Sequence, residues 1–303
     1  MGTDERTKIT LFMLSYNHER YIEEAIRSVY DQTDPFDRII FFSDGSTDRT
    51  LEIARDLFGD DSRVTWLPDL DVNMGIIARL RQVSQRISDG LMMCLSSDDL
   101  LKPRACETFR ELARQRPFEW AIGATEISDE NLRVIELVDP LAHVSEAQSD
   151  ARALFRRLLL LQPWLPVQAW CFSADLLHRV GGYDVCHRVE DYSLALRFAL
   201  ATTPVLTSEV IAVWRKNTDS FTTVHREEMC VDHARTALQF FTKAPLNVLS
   251  TASAHLREAQ KVALRCRRRM PALAYGMSAI GLWPSPRSIA SVIRAALRSA
   301  ASG

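Results

Sequence analysis

The chain has 303 residues, 47% of them apolar and 25% charged, with a net charge of −2. That balance excludes a disordered, collagenous or disulfide-scaffold protein and supplies a core large enough for one domain with an appendage, or for two domains. Residues 255–303 hold nine Lys/Arg against Glu258, a balance of +8, so the other 254 residues carry −10; an acidic body argues against a main domain built for nucleic acid, and the basic tail suits an anionic partner.

From the N-terminus, MGTDERTKIT is charged and leads into a strand without the apolar region of a signal peptide, and Arg6 stands where a myristoylation pattern needs Ser or Thr. Lys8–Ser15 reads as a strand, followed by a helix over Arg20–Gln32 with Ile22, Ala25, Ile26 and Val29 on one face. The alternation continues with a strand at Arg38–Phe42, a helix at Thr47–Phe58, a strand at Val64–Leu67 and a helix at Ile76–Ile87. A strand at Leu91–Leu95 and a helix at Pro103–Arg114 complete it. Such an order makes an α/β fold with a mostly parallel sheet flanked by helices.

Beyond Trp120 the pattern is mixed. Strands are expected at Trp120–Ala124 and Val167–Phe172, helices at Ala151–Leu161 and Ser173–Val180, and a further helix opens at Glu190-Asp191. The last 80 residues read as wholly helical. Six cysteines form no CxxC pair, which fits reduced thiols in a cytosolic protein, and no run of eighteen apolar residues is present to span a membrane.

Three polar clusters fall directly after strands: Ser15-Tyr16-Asn17-His18, Ser43 to Asp48, and Ser96-Ser97-Asp98-Asp99. In open α/β sheets ligands bind beyond the strands' carboxyl ends, where helix N-termini also point. Asp98-Asp99 taken alone suits either a helix cap or a divalent cation, since Mg²⁺ and Mn²⁺ take one or two carboxylates and leave the remaining positions to water and phosphate. Asp44-Gly45-Ser46-Thr47-Asp48 could be a plain capped turn, and Tyr16 a half-buried aromatic. Together, however, the three loops offer a stacking ring, a carboxylate for a base or ribose, and a second carboxylate for a metal on the phosphates.

Thr10–Asn17, Tyr21–Ser28, Asp44–Asp48, Asn73-Met-Gly75, Ser96–Asp99, Gly181-Gly-Tyr-Asp184 and Glu190-Asp191 with Leu194 and Arg197 form an ordered series over residues 8 to about 222. The series resembles the motifs of family 2 glycosyltransferases, which have the GT-A fold. The resemblance implies that Ser15, Tyr16, Asp44, Arg81 and Asp98 bind the nucleotide-sugar, that Asp98 with Asp99 holds Mn²⁺ or Mg²⁺, and that Asp191 is the catalytic base. Gly182, Glu190 and Trp170 are expected on the acceptor side.

Ser96 and Ser43 replace the usual first aspartates, Arg81 replaces an asparagine and Asn217 a histidine, which predicts weaker or more phosphate-dependent metal binding; Arg81 or Arg79 could compensate at the diphosphate. The histidines receive no role.

The implied function is an inverting glycosyltransferase using a UDP or dTDP type donor and a hydroxyl of a glycan or lipid-linked acceptor in cell-surface polysaccharide synthesis. The expected domains are a catalytic domain at 1–224 and a helical, basic extension at 225–303. A sugar-nucleotide pyrophosphorylase lacks support, because Ser15 to Glu19 is not a Gly-rich, cation-bearing loop; a degenerate glycan-binding or scaffold protein is the alternative left by Ser43 and Ser96. Residues 284–303 project Arg287, Arg294 and Arg298 opposite Ile289, Val292, Ile293 and Ala296. That helix could lie on the inner face of the plasma membrane or pack on protein, including a second copy of the chain.

Overall fold

The computed structural model describes residues 6–68, 72–144, 151–159, 165–183, 189–217, 220–240, 242–266 and 269–282, with 289 and 292. Arg287, Arg294 and Arg298 of the tail thus lie outside the described residues, as do His187 and Asp184. Two compact units form: one gathers the described residues of 1–154, 163–184 and 197–216, the other those of 155–162, 185–196 and 217–303. Among the described residues no helix is long and apolar enough to cross a membrane.

The first unit is built on β1 (Ile9–Ser15), β2 (Arg38–Ser43), β3 (Val64–Trp66) and β4 (Leu91–Ser96), which run parallel in the order β3-β2-β1-β4. Helices α1 (Ile22–Tyr30), α2 (Thr50–Phe58), α3 (Ile76–Ser84) and α4 (Ala105–Gln115) make the crossovers. Helix α1 shows why these segments fold as they do: Ile22, Ala25, Ile26 and Val29 are buried on one stripe, while Glu23 and Arg27 pair at 2.6 Å on the wet face. Alternate side chains of β1 serve the two faces of the sheet. Ile9, Leu11 and Met13 join the core that includes Ile22, Ile26, Phe41, Ala105 and Phe109, and Phe12 faces Phe172 edge-on at 6.4 Å.

Past β4 the sheet becomes mixed. It continues β4-β8-β6-β9-β5, where β5 is Leu100–Leu101, β6 Trp120–Ser128, β8 Trp170–Ser173 and β9 Val205–Arg215; β7 (Val134–Val138) pairs with β6 off this path. Strands β6 and β9 are parallel, and the pairs β4·β8, β6·β8, β6·β7 and β5·β9 are antiparallel. The expected strand at Val167–Phe172 starts instead as a 3₁₀ turn at Val167–Ala169, directly after extended Pro166.

Helices α5 (Pro140–Val144), α6 (Ala151–Leu159), α7 (Ala174–Arg179) and α8 (Glu190–Ala201) complete the central part of the chain. In the second unit, α9 (Phe221–Val224) precedes α10 (Arg226–Leu238), α11 (Pro245–Arg265) and α12 (Arg269–Leu282). Ala234, Ala252 and Ala279 form its core with Leu256, and the three alanines let helices approach closely.

The β6·β9 pairing shifts register on either side of Ala124. A Cβ on Gly123 would lie 2.2 Å from Ile211 Cγ1 and 3.1 Å from the Glu209 carbonyl, so this crossing requires glycine. Gly123→Ala is expected to destabilise the protein by about 1–3 kcal/mol through overpacking, read from the midpoint of chemical denaturation; an unchanged midpoint would mean that the two strands part without cost.

Candidate functional site

Strand register brings the three polar loops of the first unit to one level. Ser15 pairs with Ser43 and Leu14 with Ser96, so the chain leaves β1, β2 and β4 at neighbouring points on one sheet edge. The ladder extends one step into each loop, with Asp44 N donating to Ser15 O at 3.0 Å and Ser97 N to Leu14 O at 2.9 Å.

The loops after β1 and β2 are laced together. Asn17 adopts φ +50°, its Oδ1 accepts from Thr47 N at 2.8 Å, and its own amide donates to Ser46 Oγ at 3.1 Å. His18 N donates to Thr50 Oγ1 at 2.8 Å. Ser43 Oγ donates to Ser46 Oγ at 2.8 Å, so the residue that replaces an aspartate closes the second loop on itself. Tyr16 is 43% exposed and stands free to meet a flat ligand. Ser15, expected beside it on the ligand, is 2% exposed and its hydroxyl donates to Phe42 O.

Asp44 binds the Asn73-Met74-Gly75 motif. Its Oδ1 accepts from Met74 N at 3.0 Å and its Oδ2 from Gly75 N at 2.8 Å, just where Gly75 at φ +86° opens α3. Gly45 has φ +72°, and a Cβ there would lie 2.7 Å from the Val72 carbonyl carbon, so this approach also needs glycine. Two motifs distant in sequence thus become one rigid corner.

Arg79 is buried there, donating to Ser43 O at 3.1 Å and Pro68 O at 2.8 Å with its guanidinium over the Phe42 ring. It is a brace for the loop, not the diphosphate contact that was expected as one alternative. Arg81, two residues on, is exposed on α3.

The pair Asp98-Asp99 divides its work. Asp99 is 1% exposed; Oδ1 accepts from Arg215 N at 2.9 Å and Oδ2 from Gln168 Nε2. Burial and the neighbouring Asp98 push its carboxyl well above the usual range. With both oxygens engaged, Asp99 ties the turn to β9 and to the 3₁₀ turn. Asp98 accepts from Ser96 Oγ at 2.6 Å through Oδ1, and its Oδ2 lies 3.8 Å from His18 Nε2. His18 in turn holds Ser97 Oγ at 2.8 Å through Nδ1.

Neither His18 nor Gln168 is visible in the motif series. For His18 the available signal was its place three residues past Ser15, on the loop next to that of Asp98; for Gln168 there was none. Among the described residues no group of three or more His, Cys, Asp or Glu could hold a metal. A cation fits at Asp98 only in the mode that leaves most positions to phosphate and water.

On the expected acceptor side, Gly181 and Gly182 end α7 with φ +88° and +71°, and Gly182 O accepts from Arg197. Trp170 is 1% exposed and packs edge-on against Trp120 at 5.4 Å, so it belongs to the core and offers no face to a sugar.

In the second unit, Glu190 and Asp191 begin α8, where Asp191 Oδ1 accepts from Tyr192 N at 2.7 Å. Tyr192 anchors the turn, its hydroxyl donating to Leu159 O at 3.1 Å and its ring 5.0 Å from that of His233. Burial pushes Asp191 up to about 6; burial and the charge of Asp191 push Glu190 up to about 8. The two carboxyls titrate as a pair, and the proton they retain above the usual carboxylate range belongs to both.

The Asp44 corner has a measurable consequence. Asp44→Asn sets an NH₂ against one of the two amides that Asp44 now accepts, at a cost of about 1–3 kcal/mol. A lower denaturation midpoint is expected without any ligand present, and an unchanged midpoint would remove Asp44 as the bracket of residues 73–75.

Comparison with known proteins agrees with this arrangement. The family model "Glycosyl transferase family 2" matches residues 10–174, more than half of the chain. A putative teichuronic acid biosynthesis glycosyltransferase, TuaG of Bacillus subtilis, is 29% identical over 114 residues, 38% of this chain and 45% of TuaG. The chain matches under half the length of each such relative.

Two solved structures share the fold. TarS 1–349 of S. aureus in complex with UDP-GlcNAc has TM-score 0.67 at 14% identity, covering 94% of this chain and 84% of that one. The mannosyltransferase PcManGT of Pyrobaculum calidifontis with GDP-Man and Mn²⁺ has TM-score 0.59 at 17% identity, covering 97% and 87%. With three of its motif loops on one sheet edge and the family model matched across β1 to β8, the chain belongs to glycosyltransferase family 2.

Proposed function

We propose that this protein is an inverting glycosyltransferase that moves a sugar from a UDP or dTDP type donor to a hydroxyl of a glycan or lipid-linked acceptor in cell-surface polysaccharide synthesis. The observation that carries the reading is the alignment of three strand-end loops, which presents exposed Tyr16, the Asp44 corner and Asp98 together on one edge of the family's sheet. TuaG, TarS with its UDP-sugar, and PcManGT with Mn²⁺ support polysaccharide synthesis, a nucleotide-sugar and a divalent cation in turn.

In this reading Tyr16 stacks on the base, the Asp44 corner fixes the loop against which the ribose lies, and Arg81 reaches the diphosphate from the exposed face of α3. Asp98 holds Mn²⁺ or Mg²⁺, which when bound offsets the negative charge that grows on the departing diphosphate. Asp191 takes the proton from the acceptor hydroxyl. Glu190 adjoins Asp191 in sequence and shares its proton on the acceptor side, and Gly182 shapes the turn after α7. Residues 1–224 serve as the catalytic domain. Residues 225–303 form a helical extension whose basic end, 284–303, contacts a membrane surface at the cytoplasmic face or a second copy of the chain.

Calorimetric titration with UDP, dTDP and GDP, with and without Mn²⁺, tests the donor side. Mn²⁺-dependent binding of one pyrimidine diphosphate is expected, and no binding under any condition would favour a degenerate scaffold on the same fold.

Asp191→Asn tests the chemistry. Transfer should fall by at least about 10²-fold, the typical contribution of a positioned base, while donor affinity stays within about twofold; normal turnover would refute the assignment. Because the folded pKa of Asp191 is raised to about 6, the base is lost as pH falls through about 6 rather than through the ordinary range near 4. The acid limb of kcat/KM is therefore expected near pH 6, and a limb near 4 would place the base elsewhere.

A further inference from the structure

With Ser96 where the family motif has an aspartate, Asp98 sets one oxygen on Ser96 Oγ and the other 3.8 Å from the loop after β1. That oxygen faces His18. The geometry points to His18 Nε2 as a second protein ligand of the divalent cation, so that an imidazole from the loop after β1 takes the place of the carboxylate missing at position 96. This inference rests on the transferase reading and deepens its donor site.

Four observations support it. The gap between His18 Nε2 and Asp98 Oδ2 is 3.8 Å, too long for a hydrogen bond. Ligands at right angles about one cation stand about 3.0 Å apart when each bond is about 2.1 Å, so an approach of under about 1 Å brings both atoms onto one cation. The ring is held in place: Nδ1 lies 2.8 Å from Oγ of fully buried Ser97, and when Nδ1 carries the proton Nε2 presents its lone pair.

The backbone of His18 is fixed from both sides. Its amide donates to Thr50 Oγ1 at 2.8 Å and its carbonyl accepts from Tyr21 N and Ile22 N, each at 2.9 Å. Lastly, Ser96 Oγ holds Asp98 Oδ1 at 2.6 Å, which turns Oδ2 toward the ring. An imidazole in the ligand set also tips the seat away from Mg²⁺ and toward transition-metal cations.

His18→Asn isolates the ligand, because the amide nitrogen of Asn reproduces Nδ1 and keeps the bond to Ser97 while Nε2 is removed. The experiment takes the full chain, labelled with ¹⁵N-histidine, together with Mn²⁺ and UDP, and records the electron–nuclear double resonance of Mn²⁺. A ¹⁵N coupling of a directly bound nitrogen is expected in the unsubstituted protein and absent from His18→Asn. The variant should also bind Mn²⁺ about tenfold or more weakly in the presence of UDP.

A ternary complex without ¹⁵N coupling overturns the inference and leaves the transferase reading standing, as does a coupling that persists in His18→Asn. Failure of the unsubstituted chain to bind either Mn²⁺ or UDP overturns both. Should the variant not fold, the spectrum of the unsubstituted protein decides alone.

Discussion

The hydrogen-bonded register of β1 with β2 and β4 is the constraint on which the site depends. Parallel pairing fixes which residues sit side by side, and a slip of one residue would exchange the faces of a whole strand. With Ser15 opposite Ser43 and Leu14 opposite Ser96, three loops leave the sheet together, and every later contact follows from that. Asn17 reaches Thr47, His18 reaches Thr50 and Ser97, and Asp44 reaches residues 74 and 75 because their strands end at one level. The apolar run of β1, buried on both faces, holds the register by making any slip costly.

The carboxylates of the motifs fall into two groups by what their oxygens do. Asp44 and Asp99 accept two hydrogen bonds each from the protein and hold loops in place. Asp98 Oδ1 accepts from Ser96 Oγ and Asp191 Oδ1 from Tyr192 N, near neighbours that orient each group. The distinction is physical: a buried carboxylate must be compensated by donors, and one compensated by two internal donors has little left for a ligand. A motif letter therefore does not define a role, and only the donors around it do.

Much of this was legible in the sequence where local pattern decides. The stripe of Ile22, Ala25, Ile26 and Val29 gave α1, the apolar runs gave β1, β2 and β4, and the helix expected at Ser173–Val180 is α7. The parts that escaped are those set by tertiary partners. Strand β7 presents exposed Val134, Ile135 and Leu137 and so lacks alternation; β9 is interrupted by exposed Ser208 and Glu209. Trp170 and Ser15 looked available because sequence says nothing of which face a strand residue meets. Gln168 and His18 acquire their partners 69 and 79 residues away, where no spacing rule reaches.

The two serines at aspartate positions change the electrostatics of the edge in a consistent direction. Each removes a negative charge beside a region suited to a diphosphate, and like charges at such separations repel by several kcal/mol where water is scarce. Ser43 instead closes its loop onto Ser46 and offers its carbonyl to Arg79, while Ser96 donates to Asp98 and orients that carboxylate. An edge with fewer carboxylates repels phosphate less and holds a bare cation less tightly. In the proposed reading donor and cation bind best together, with phosphate oxygens supplying charge that Ser43 and Ser96 do not.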